Sequence, residues 1–163
     1  MCTLLYMKYI TDSAKAEPDV DKYAYVLSAC ACLNLRKLSR AITQMYDEAL
    51  KGSGLRSTQL PVLVTLVCTG PMTVNHLADD LVMDRTSLSR LLRPLVTRRL
   101  IETARGQDRR TQDLSITPLG REFVEGAFPM WDRVQDEVLE RLGQKLFRDL
   151  GDNLTVAAEL IRT

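Results

Sequence analysis

The chain has one histidine, His76, and four cysteines, Cys2, Cys30, Cys32 and Cys68, in 163 residues. No cysteine lies near His76 at ligand spacing, so a structural zinc set is not expected. Four scattered thiols are too few for a disulfide framework at this size, and a reducing compartment is the default. A glycine-rich phosphate loop and a nucleophile motif are both missing, which argues against an enzyme and gives no reason to expect a cofactor. No uninterrupted apolar run approaches the length that spans a bilayer, so no membrane partner is expected. Met1–Ile10 is apolar but short, carries Lys8 and lacks a small-residue cleavage site, unlike a secretion signal. A cytoplasmic protein is the expectation. Net charge is only +1, which excludes a global basic signature.

The charge that is present is unevenly placed. From Asp84 to Arg110 eight arginines face Asp84, Glu102 and Asp108, a local balance of +5 that leaves −4 on the rest of the chain. A confined basic block on an acidic chain is the footprint of a polyanion site. Within it, Leu88, Leu91, Leu92 and Leu95 fall at helical spacing and form one apolar stripe. Asp84 is a natural N-cap. The other side carries Arg85, Thr86, Ser89, Arg90 and Arg93, with Ser87 in the first turn. Arginine can fork onto guanine, and short hydroxyls let a backbone come close to base edges or phosphates. Taken alone, this helix could equally be a solvated face that happens to be basic. Pro94 predicts a kink in it, with a break after Arg93 as the competing reading.

The flanking residues supply the context. Thr73 caps a short helix, Val74 to about Leu81, and Val82-Met83-Asp84 makes a tight turn into the arginine helix. Short helix, turn and second helix is the helix-turn-helix arrangement. Beyond it, Leu100–Ala104 and Thr111–Thr117 read as strands, since Leu114 and Ile116 alternate with polar residues. Gly106 and Asp108 supply turn chemistry between them. The result is a hairpin with a basic tip, a wing whose Arg105, Arg109 and Arg110 can approach a minor groove.

The expected fold is all-α with a small β-hairpin wing. Residues 1–20 read as a lead-in, 21–56 and 118–163 as a helical dimerisation region, and 57–117 as a winged helix-turn-helix domain. One long helix is expected from Asp21 to Leu50, ended by Lys51-Gly-Ser-Gly54. The next, Ser57 to Cys68, is expected to be capped by Ser57, with Pro61 in its first turn. Thr117 caps a further helix with Pro118 at its first position; Pro129 should bend it, and Gly143 marks an end or a bend. A last helix carries Leu146, Phe147, Leu150, Leu154 and Ile161. The terminal helices hold more apolar surface than a small winged helix can cover, which implies a second copy of the chain.

From about Tyr23 to the C-terminus the chain resembles the MarR family of bacterial transcriptional regulators. The residues that carry the resemblance are Met83-Asp-Arg-Thr-Ser-Leu-Ser-Arg90, Asp108-Arg-Arg110 and Leu114-Ser-Ile-Thr-Pro-Leu-Gly-Arg121. It implies a homodimer joined through its first and last helices and bound to double-stranded DNA at a palindromic operator, usually as a repressor. It also implies that Asp108 pairs with Arg110 and sends it toward the minor groove. Many members release DNA when a small aromatic or anionic effector binds, and Arg36, Tyr46, Phe128 and Trp131 are the residues expected near such a ligand. In a peroxide-sensing branch a reactive cysteine matches Cys32 and a helper tyrosine matches Tyr46. A second helper tyrosine would fall at Arg36, where this chain departs from the pattern. Two alternatives stand beside the ligand-relieved repressor: a regulator that senses oxidants through Cys32, and a protein-interaction module that does not read DNA. The candidate DNA contacts are Thr73, Arg85, Thr86, Ser87, Ser89, Arg90, Arg93, Arg105, Asp108, Arg109 and Arg110.

Overall fold

A computed structural model of the chain describes residues 20–105 and 112–162. Its backbone divides into two compact units, residues 1–40 and 41–163. None of its described helices is long and apolar enough to cross a membrane.

The first unit holds helix α1 (Val20–Ala29) and the start of helix α2 (Ala31–Leu50). The single helix expected over Asp21–Leu50 is therefore two segments, divided at Cys30. The backbone ladder persists on either side, with Cys30 N–H donating to the Val26 carbonyl at 3.1 Å and Asn34 N–H to the Cys30 carbonyl at 3.0 Å. Between them the Asn34 side-chain amide donates to the Ser28 carbonyl at 3.0 Å. A side chain inserted into the i→i−4 ladder is a recognised cause of a helix break. Tyr23, Tyr25, Val26 and Leu27 on α1 are all exposed.

In the second unit α2 tightens into a 3₁₀ turn, Lys51–Ser53, and stops at Gly54, whose φ of 71° lies in the left-handed region that glycine enters without strain. Ser57 does not cap the next helix. Helix α3 spans Leu60–Thr69, and Ser57–Gln59 form a turn before it. The Ser57 N–H is drawn instead to the Asp47 carboxylate at 2.7 Å, and Gln59 Oε1 accepts from Arg56 N–H at 3.1 Å. Pro61 lies in the first turn of α3, as its missing N–H permits.

Strand β1 (Met72–Thr73) leads into helix α4 (Val74–Asp80), and helix α5 spans Arg85–Thr97. Strands β2 (Ile101–Arg105) and β3 (Gln112–Ile116) pair antiparallel, with Ile101 opposite Ile116 and Thr103 opposite Leu114. The sheet has a third strand that the sequence did not announce. β1 pairs with β3, Met72 opposite Leu114, in the order β1-β3-β2. Two residues are too short a run to show a period of two, so only the pairing reveals them as a strand.

Helix α6 (Pro118–Leu142) runs unbroken through Pro129, and helix α7 (Gln144–Arg162) follows Gly143. The Thr117 side chain accepts from Gly120 N–H at 3.0 Å and donates to the Arg99 carbonyl at 2.7 Å. One hydroxyl thus caps α6 and ties its start to the base of the wing. Leu63, Leu66, Leu77, Leu88, Leu95, Leu100 and Leu114 are fully buried in one core that also takes in Leu50, Val124 and Ala127. That core anchors α5 from beneath. No residue of α7 is buried, and Leu146, Val156 and Ile161 are exposed along it.

Candidate nucleic-acid interface

Local chemistry starts both helices of the motif. The Thr73 hydroxyl accepts from His76 N–H at 3.1 Å at the head of α4. The Asp84 carboxylate accepts from Ser87 N–H at 2.9 Å at the head of α5. Ser87 also donates its hydroxyl to Asp84 at 2.6 Å. These two bonds favour the charged carboxylate and hold the Asp84 acid below the usual carboxylate range, the Ser87 hydroxyl first among the causes. Ser87, expected among the DNA contacts, is half-buried and bonded to Asp84 through both its N–H and its hydroxyl. The intervening turn is closed by Met83 N–H on the Ala78 carbonyl at 2.8 Å.

Helix α5 has two different faces. Leu88, Leu92 and Leu95 are buried, and Leu91 packs on the same core. Arg85, Thr86, Ser89, Arg90 and Arg93 are exposed and border one shallow surface depression. Among the described residues no salt bridge engages Arg85, Arg90 or Arg93. Such a face presents donors and positive charge to whatever polyanion meets it. The helix continues through Pro94 to Thr97, so the reading with a break after Arg93 is corrected. The buried leucines on both sides of Pro94 outweigh the one hydrogen bond that the proline removes.

Not every arginine of the basic block faces outward. Arg98 is half-buried, donates to the Gly54 carbonyl at 2.8 Å and lies 4.9 Å from the centroid of the Phe123 ring. It fastens α5 to the end of α2 and to α6, a cation–π contact no local pattern reveals. Arg105 is exposed at the end of β2. Asp108, Arg109 and Arg110 lie outside the described residues. His76 is on the surface, with Nε2 3.8 Å from the Asp80 carboxylate.

Tyr46, Phe128 and Trp131 line a cavity of about 660 Å³ in the second unit, between α2, α3 and α6. Arg36 is exposed in the first unit. Ser57, Val64 and Cys68 also line it and were not among the expected ligand residues, because small and apolar side chains carry no ligand pattern of their own. The Tyr46 hydroxyl donates to Gln135 Oε1, and burial pushes its acid above the ordinary tyrosine range. That bond commits the hydroxyl to α6, which leaves it no proton to donate to a thiolate. Cys32 is exposed and Cys30 half-buried, both free thiols. No cluster of three or more potential metal ligands occurs among the described residues.

No protein-family model matches the chain. An uncharacterized HTH-type transcriptional regulator of Bacillus cereus (strain ZK / E33L) is 30% identical over 122 residues, covering 72% of this chain and 82% of that protein. The M. tuberculosis transcriptional regulator MosR, solved in complex with DNA, is 34% identical with a TM-score of 0.72, over 82% of this chain and 99% of MosR. A mutant MarR from E. coli, solved with operator DNA, shares the fold at a TM-score of 0.73 and 18% identity, over 82% of this chain and 96% of that one. A capped helix pair, a three-stranded wing and flanking long helices, in a chain this similar to such regulators over most of its length, lead to one assignment: it belongs to the MarR family of winged helix-turn-helix transcriptional regulators.

Proposed function

We propose that the chain is a homodimeric DNA-binding repressor of a palindromic operator, relieved when a small molecule enters the cavity beside Tyr46, Phe128 and Trp131. One observation carries the reading: Arg85, Thr86, Ser89, Arg90 and Arg93 stand exposed on one side of α5 while its leucines are locked in the core. In this reading α5 enters a major groove, and Arg105, with Arg109 and Arg110 beyond it, approaches the neighbouring minor groove. The DNA-complexed relatives MosR and MarR support it. Two copies would place two such helices one turn of duplex apart, about 34 Å. Residues 21–56 and 118–163 are the proposed dimerisation region, and the exposed apolar side chains of α1 and α7 support a covered interface there.

Titration of a duplex carrying the upstream region of the chain's own gene, at several salt concentrations, tests the proposal. Tight binding is expected, with a log–log salt slope of about −5 or steeper for about six phosphates. Absent or salt-insensitive binding, to that duplex and to a random operator library, would instead indicate a protein-interaction module. Sedimentation of the wild type against Val156→Asp tests the dimer, whose dissociation the variant should favour.

A further inference from the structure

Arg98 stands where three parts of the chain meet. It is the C-cap residue of α5, with its backbone N–H on the Pro94 carbonyl at 3.0 Å. Its Nη1 donates to the carbonyl of Gly54, just past the end of α2, at 2.8 Å. Its Cζ lies 4.9 Å from the centroid of the Phe123 ring on α6. A Cβ on Gly54 would lie 3.4 Å from Arg98 Nη2 and 3.9 Å from Phe123 Cε1, so the three groups form one packed joint. Among the described residues, no other side chain from Asp84 to Arg98 hydrogen-bonds beyond that segment. The joint also crosses the proposed domain boundary. Arg98 belongs to the reading domain, and Gly54 and Phe123 belong to the two halves of the dimerisation region.

Position makes this joint consequential. Leu88, Leu92 and Leu95 lock α5 into its core, so the reading unit moves with it. That core touches α2 and α6 through Leu50, Val124 and Ala127, but apolar contact is non-directional and fixes an angle loosely. Thr117 ties the wing base to α6, which leaves the side toward α2 to Arg98. A guanidinium suits the task because it is flat enough to lie against a ring while donating from its rim, which an ammonium cannot do. At about 1.5 Å per residue, Arg85 lies about 20 Å along the helix from Arg98. A turn of about 5° at the Arg98 end would carry the Arg85 end about 1.7 Å, whereas good N–H···O distances span only roughly 0.5 Å.

We propose that Arg98 is a positioning residue for DNA reading: its joint with Gly54 and Phe123 sets the angle of α5 to α2 and α6, and thereby the half-site spacing that a pair of copies accepts. The inference rests on the homodimeric reading above and names what fixes its geometry.

The full chain is tested on a palindrome that the wild type selects from random duplexes, rebuilt with its half-sites one base pair closer or farther apart. Each step moves the second half-site by about 3.4 Å and turns it by about 35°. The wild type should bind either shifted duplex at least about tenfold more weakly, a loss in the range of one misplaced base contact. Three variants follow, each measured well below its melting temperature. Arg98→Ala removes the joint. Arg98→Lys keeps the charge and loses the flat fork. Phe123→Leu keeps an apolar side chain and leaves every cation in place. All three should lose about tenfold at the preferred spacing and discriminate under about threefold between spacings, with the salt slope unchanged. If Arg98→Ala does not fold, the other two carry the comparison. Lower melting temperatures with the wild-type spacing profile would make Arg98 merely structural and overturn the proposal. So would a phosphate contact, for which Arg98→Ala lowers the slope by about one while Arg98→Lys and Phe123→Leu bind as the wild type does. A wild type that binds no duplex removes the regulator reading and this inference with it. A wild type that binds tightly at every spacing overturns this inference alone.

Discussion

Gly120, in the first turn of α6, lies against the backbone carbonyl of Leu100 at the base of the wing. A Cβ there would overlap that oxygen and come within 2.7 Å of Ile116 Cγ1. The same turn is held by Thr117, whose hydroxyl reaches Gly120 N–H and the Arg99 carbonyl. The orientation of the wing relative to α6 therefore depends on the absence of one methyl group. Gly120→Ala should destabilise the protein by about 3 kcal/mol, the upper end for overpacking, because backbone must move and not a side-chain tip. The measure is denaturant or thermal unfolding, and a loss under about 1 kcal/mol would show that the wing base gives way easily.

Val82, in the turn between α4 and α5, has a φ of 53° and an exposed side chain. A β-branched residue in the left-handed region is strained by roughly 1–2 kcal/mol. Val82→Gly relieves the strain but adds freedom to the unfolded chain, so a net gain of about 0.5–1 kcal/mol is expected. For a chain of this size that is a rise in Tm of roughly 1–4 °C. An unchanged or lower Tm would mean that Val82 makes compensating contacts.

Asp84 titrates below its ordinary range because of Ser87. A carboxyl whose folded pKa is depressed contributes stability that is complete above its unfolded pKa and is lost as pH falls through its folded pKa. Stability of the wild type should therefore fall over the acidic side of the usual carboxylate range. Asp84→Asn keeps a cap acceptor but cannot titrate, so the wild-type and variant curves should converge as pH drops through that window. Parallel curves would assign the acid sensitivity to other carboxylates. Ser87→Ala should weaken the cap and reduce the convergence.

Two arginines eight residues apart should behave oppositely. Arg90→Ala removes an exposed donor from the outer face of α5 and should weaken operator binding by roughly 1–3 kcal/mol with the melting temperature nearly unchanged. Arg98→Ala removes the bond to Gly54 and the contact with Phe123, so it should lower stability and leave the salt slope of DNA binding intact. Equal effects of both on the slope would make Arg98 a phosphate contact as well.

The parts of this fold that short-range physics governs are the parts the sequence declares. Thr73, Asp84 and Thr117 each cap a helix because a side-chain oxygen reaches an N–H three residues on, a distance set by the chain itself. The leucine stripe of α5 and the apolar alternation of β3 follow from periods of 3.6 and 2, so the outward arginines follow too. What depends on residues far apart could not be read there. β1 becomes a strand only because β3, some forty residues later, offers its edge. Arg98 turns inward only because Phe123 and Gly54 arrive beside it. Ser57 leaves its helix for want of the cap role, its N–H taken by Asp47 across a turn. The cavity, its lack of charge and the unpaired Ser57 hydroxyl arise where α2, α3 and α6 converge. The sequence alone thus determined the capped helix starts, the two long wing strands and which face of α5 stays wet. Tertiary structure decided that Arg98 is consumed in holding α5 and where the cavity opens, because both depend on packing between segments whose spacing along the chain carries no period.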